Sequence, residues 1–95
     1  MENKEISELK SEVKKLQKEL CLVGPVMRGS VTIMGKKNKQ PYFSVSTKGK
    51  TKIIYLGDKR AKIANKYVEN YRRVLEIIDE MTKINMEILK IMKSK

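Results

Sequence analysis

Ile6, Leu9, Val13, Leu16, Leu20 and Val23 follow one another at intervals of three, four, three, four and three residues, and Glu, Lys, Ser and Gln fill nearly every position between them. That spacing is an a/d heptad seam, which predicts a helix over 1–23 burying one narrow stripe against a partner helix. Glu8 with Glu12, and Lys10 with Lys14, are like charges four apart, so such a helix does not rest mainly on its own surface pairs. The pattern stops at Gly24-Pro25, where glycine ends a helix and proline forbids its continuation.

Between Met27 and Leu56 the period shortens to two. Val31 to Met34, Tyr42 to Thr47 and Thr51 to Leu56 are rich in β-branched and aromatic residues, and the turn-like segments Gly35 to Pro41 and Lys48-Gly49-Lys50 separate them. Connectors this short predict an antiparallel three-stranded meander over 27–57. Alternation in the second strand sets Phe43, Val45 and Thr47 on one face, to pack on a helix, and Tyr42, Ser44 and Ser46 on the other, which suits a polar partner.

Asp58 is placed to cap a long helix over 58–94. Tyr67, Asn70, Val74, Ile77, Met81, Ile84, Ile88 and Ile91 make a second a/d seam, and Tyr71, Ile78, Asn85 and Met92 recur beside it every seven residues. The apolar face is therefore wider than one partner helix covers. Asn70 either sets register on the seam or sits at its rim. The expected fold is α+β in a single domain, 1–95: a heptad helix, a three-stranded sheet and a long helix. The simplest closure for two seams and one thin sheet is a homodimeric helical bundle with Leu9, Val13, Leu16, Leu20, Val74, Ile77, Met81, Ile84 and Ile88 in its core. A monomeric helical hairpin is the competing arrangement and leaves more apolar surface exposed.

Charge sharpens this picture. Thirteen Lys or Arg lie from Arg28 to Arg73 against two acids, Asp58 and Glu69, which accounts for the whole net charge of +11. Residues 1–27 hold five bases and five acids, and residues 74–95 hold four of each. A basic centre between two neutral arms is the footprint of a phosphate-binding surface. Arg28, the tip lysines Lys36, Lys37 and Lys39, the turn lysines Lys48, Lys50 and Lys52, and Lys59 and Arg60 at the helix start are the expected nucleic-acid contacts, with Tyr42, Ser44 and Ser46 between them. Cations at the start of the long helix oppose its dipole, a reversal that phosphate contact explains.

Other chemistries find little support. With no His and no adjacent acids away from the helix surfaces, general acid–base catalysis has no residues to recruit, so no catalytic residue is expected and the chain is read as a non-enzyme. Gly49-Lys50-Thr51 lacks the earlier glycine and following helix of a phosphate loop. The single cysteine, Cys21, excludes an internal disulfide and is expected in the core; neither metal nor cofactor is expected. No apolar run is long enough to span a bilayer, and the N-terminus lacks the layout of a signal peptide, so a cytoplasmic, nucleoid-associated protein without membrane or small-molecule partners is expected.

Met27-Arg28-Gly29-Ser30, Pro41-Tyr42, Gly49-Lys50-Thr51 and Asn70-Tyr71-Arg72-Arg73, followed by Ile84-Asn85, form a series over roughly residues 26–90. It resembles an uncharacterised small prokaryotic domain family with arginine-glycine-serine, proline-tyrosine-tyrosine, glycine-lysine-threonine and asparagine-tyrosine-arginine-arginine motifs. The resemblance implies DNA binding in a mobile-element or DNA-associated setting. Lysines and asparagine stand from Gly35 to Gln40 where that family carries a Cys-rich hairpin, so no zinc-supported hairpin is implied here. A meander followed by a helix is also similar in architecture to plant ethylene-response-factor DNA-binding domains and to integrase arm-binding domains, which lay the sheet in the major groove. The expected function is sequence-tolerant binding of double-stranded DNA by a homodimer, of architectural or chromatin type. RNA binding, or a coiled-coil adaptor for an acidic protein, is the alternative.

Overall fold

The computed structural model describes residues 4–92 and contains α1 (Lys4–Leu22), β1 (Ser30–Met34), β2 (Gln40–Thr47), β3 (Lys50–Tyr55) and α2 (Gly57–Ile91) in that order. The α+β architecture is the expected one: a heptad helix, an antiparallel meander in strand order β1-β2-β3 and a helix of 35 residues, about 50 Å long at 1.5 Å per residue. The outermost ends of the two expected helices, residues 1–3 and 93–94, lie outside the described residues. None of the described helices is long and apolar enough to cross a membrane.

The described chain divides into two compact units, one of residues 4–23 with 73–92 and one of residues 24–72. In the helical unit, Ile6 and Leu16 of α1 and Ile77 and Ile88 of α2 are buried, and every remaining seam position from Leu9 to Val23 and from Val74 to Ile91 is half-buried. Glu19 pairs with Arg73 across the two helices, which joins the end of α1 to the α2 part of this unit. Within one chain the two helices bury their seams as a hairpin. It leaves Leu75, Ile78, Met86, Leu89 and Met92 about half exposed or more. Cys21, expected in the core, is exposed, because it falls one position beyond the seam residue Leu20.

In the sheet unit, Phe43, Leu56, Ala64 and Val68 form the core, with Met27, Val31, Val45 and Ala61 packed around them. Small side chains at 61 and 64 let the first turns of α2 lie close on the sheet, and Phe43 fills the space between. Gly29 is required by that ring: a Cβ there would stand 2.5 Å from Phe43 Cζ and 2.6 Å from the Ser44 carbonyl oxygen.

β2 begins at Gln40, two residues earlier than the alternation alone indicated, and takes Pro41 into the central strand. Proline brings no N–H to the ladder, yet its carbonyl accepts a hydrogen bond from the Leu56 N–H at 3.0 Å, and its ring is buried opposite Ile33. Asn70 is buried and donates from Nδ2 to the Pro25 carbonyl at 2.8 Å, while the Met27 N–H donates to the Tyr67 carbonyl. Of its two readings, neither a register device nor an open rim describes it. Its amide clasps the 24–27 segment to α2.

Candidate nucleic-acid interface

Strand register decides which side chains share a surface. Thr32 lies opposite Tyr42, and Tyr42 opposite Tyr55; Ser30, Ser44 and Ile53 form the next row, followed by Ser46 opposite Thr51. Because paired residues point to the same side, these make one continuous face, the one turned away from the Phe43 core. It is tied by its own side chains. The Tyr42 and Tyr55 rings meet edge to face at 5.4 Å, Tyr55 Oη donates to Gln40 Oε1 at 3.3 Å, and the Ser46 and Thr51 hydroxyls are 3.0 Å apart. Tyr42 and Ser44 are half-buried and Ser46 is exposed.

The antiparallel order carries the basic residues to the two ends of the sheet. Lys36, Lys37 and Lys39 occupy the β1–β2 connection, and the end of β3 with the following Lys59 and Arg60 returns to that same end. Lys48 and Lys50 lie at the opposite end, joined by Arg28, whose Nη2 donates to Thr47 Oγ1 at 3.0 Å. Arg60 is held in place twice: Nε donates to the Leu56 carbonyl at 2.7 Å, and its guanidinium lies 6.0 Å from the centre of the Tyr55 ring. All nine expected cations are exposed.

Two of them belong to the other face. Lys50 pairs with Thr47 and Lys52 with Val45, so both share the face of Phe43 and Ile54, not the face of Tyr42, Ser44 and Ser46, and Arg28 reaches Thr47 on that same side. Thr51, Ile53 and Tyr55 take the places these lysines were expected to fill. The two-residue turn contains the signal, since counting outward from Lys48-Gly49 sets Thr47 against Lys50 and therefore Val45 against Lys52. Arg73, the last of the thirteen central cations, is committed to acids of the helical unit. Hydrogen bonds to Glu19 and then Glu76 raise its pKa above the ordinary arginine value, and Glu80 adds to the cluster; Arg72 is exposed. The sheet unit, residues 24–72, keeps twelve Lys or Arg against Asp58 and Glu69, a net +10.

No family model, curated protein or solved structure matches this chain.

Lys48 carries a backbone cost. It has φ of 51° and Gly49 has φ of 77°, the pair of positive angles a type I′ hairpin turn requires, and asparagine suits the first position far better than lysine. Lysine here brings a charge to the turn tip at that backbone cost. Lys48→Asn is expected to stabilise the protein by about 0.5–1 kcal/mol in urea unfolding. The same change is expected to weaken binding to a polyanion.

Proposed function

We propose that this chain binds double-stranded DNA with little sequence preference, as a homodimer of architectural type, by clamping phosphates from the two ends of its open sheet face. The observation that carries the reading is the placement of the cations. Lys36, Lys37, Lys39, Lys59 and Arg60 stand at one end of the sheet and Lys48 in the turn at the other, with Arg28 and Lys50 beside it on the Phe43 side and a hydroxyl-rich surface between the two ends. Eight residues of β2 span about 26 Å at roughly 3.3 Å per residue, whereas the major groove of B-DNA is about 12 Å wide. A sheet laid into the groove thus overhangs both walls, and the terminal lysines meet backbone on each side. Lysine presents a point charge to phosphate and reads bases poorly, which accounts for the low specificity.

Single-stranded RNA fits less well, because recognition of unpaired bases uses open aromatic faces. Tyr42 stands edge-on to Tyr55, and the Tyr55 ring is already approached by Arg60. Competition against a labelled random duplex tests the assignment. Unlabelled duplex is expected to displace the probe at concentrations at least tenfold lower than single-stranded DNA, RNA hairpins or polyglutamate. Displacement by RNA or polyglutamate at equal or lower concentration would transfer the same surface to an RNA or acidic-protein partner.

A further inference from the structure

The helical unit carries a second heptad line that the hairpin leaves open. Leu75, Ile78, Thr82, Asn85, Leu89 and Met92 are spaced three, four, three, four and three, so they stack along one side of α2, beside the seam that runs through Ile77 and Ile88. Leu75, Ile78, Leu89 and Met92 are 47%, 45%, 67% and 52% exposed, and Met86 at its edge is 53% exposed. Thr82 fits an apolar stripe better than its hydroxyl suggests, for its Oγ1 donates to the Ile78 carbonyl at 2.8 Å and is satisfied within the helix.

We propose that this stripe is the two-fold interface through which a second copy of the chain docks antiparallel to the first. The order along it is apolar, apolar, polar, polar, apolar, apolar. Reversing the helix therefore sets Leu75 and Ile78 against Met92 and Leu89 of the other copy, and Thr82 against its Asn85, as an isologous contact demands. The area fits: half-exposed side chains at these five positions make on the order of 450 Å² of apolar surface per copy, which at the usual apolar share of an interface corresponds to about 750 Å² per partner, near the standard size. Charge points the same way. Residues 74–95 hold four bases and four acids, so copies meet there without net repulsion. Antiparallel pairing also keeps apart the basic first halves of the two α2 helices, from Lys59 to Arg73, whereas parallel pairing sets them side by side.

This names the surface behind the proposed dimer but does not depend on the DNA reading. Sedimentation equilibrium of the full chain near 20 µM is expected to give twice the 11.0 kDa chain mass, and Ile78→Lys with Leu89→Lys to give the single mass with unchanged helicity, the dimer dissociation constant rising about a hundredfold or more. A monomeric wild type, or a double variant that stays dimeric, overturns the proposal. Direction is tested in a Cys21→Ser background: oxidation is expected to cross-link chains carrying both Leu75→Cys and Met92→Cys, and cross-linking by Leu75→Cys alone would refute the antiparallel arrangement. Neither result depends on DNA, and loss of DNA binding through the sheet lysines is expected to leave the mass unchanged.

Discussion

Replacing Lys48 and Lys50 with glutamate is expected to weaken binding of a random duplex by about 100-fold or more at moderate salt, measured by fluorescence anisotropy, with no change in far-UV circular dichroism. Each lysine that neutralises a phosphate adds roughly 0.9 to the slope of log affinity against log salt, and glutamate at the same place replaces attraction with repulsion. Both positions are exposed and belong to the turn that closes β2 on β3, so the charge changes without disturbing the Phe43 core. The same exchange at Lys36 and Lys37 is expected to act from the other end of the face, and the two pairs combined should leave no measurable affinity. Lys52→Glu is the internal control. It lies on the Phe43 side of the sheet, inward from the turn, and the expected loss is several-fold smaller than at the turn residue Lys48. An equal loss at Lys52 and Lys48 would mean that bulk charge, rather than the ends of the sheet, governs binding.

The second large effect is on stability. Ile77 is the one large side chain with no exposure at all among the described residues, and it sits on the α2 seam of the helical unit. Truncating a buried isoleucine to alanine costs its transfer free energy plus that of the cavity left behind, about 2–5 kcal/mol. In a chain of this size each kcal/mol moves the melting temperature by about 4–8 °C. Ile77→Ala is therefore expected to lower the melting temperature by at least about 10 °C in a thermal scan followed by circular dichroism. Leu75→Ala, two residues away and 47% exposed, is expected to cost under about 1 kcal/mol when both substitutions are compared in the monomeric Ile78→Lys, Leu89→Lys background. Similar losses at the two positions would show that the seam is not the packed face of α2.

Much of this architecture was legible from the residues because the periods are long and consistent. Six seam positions from Ile6 to Val23 and eight in the second helix each recur at three and four, and each is buried or half-buried. Phe43 and Val45 against Tyr42, Ser44 and Ser46 was legible for the same reason, since only one face of β2 is apolar. β3 was harder. It holds Ile53 and Ile54 side by side, so alternation assigns no core face, and the tight turn at Lys48-Gly49 had to set the register. The start of β2 was hidden by Pro41, whose lost N–H argues against a central strand until its carbonyl bond to Leu56 is seen. Cys21 was misplaced because an apolar run from Leu20 to Val23 reads as core on composition, although only Leu20 and Val23 fall on the seam. Asn70 required tertiary information: nothing local signals that an amide on α2 will close on the Pro25 carbonyl, 45 residues away in sequence.

The stripe from Leu75 to Met92 shows how a sequence pattern and a single-chain structure inform each other. Periodicity indicated an apolar face too wide for one partner helix, and the fold shows which part α1 leaves open. The open part bears no net charge, while the strands and turns hold most of the surplus. Self-association and polyanion binding are thus assigned to different residues, and variants can separate them.

The central claim is that lysines at the two ends of one sheet face bind the DNA backbone. Its most direct test is a titration of a random 20-base-pair duplex with the wild-type protein at several salt concentrations between 50 and 300 mM. The account predicts a linear fall of log affinity with log salt, a slope corresponding to about five or more phosphate contacts per sheet face, and the same slope for unrelated duplex sequences. Affinity that is flat in salt, or no binding at the lowest salt, would contradict it.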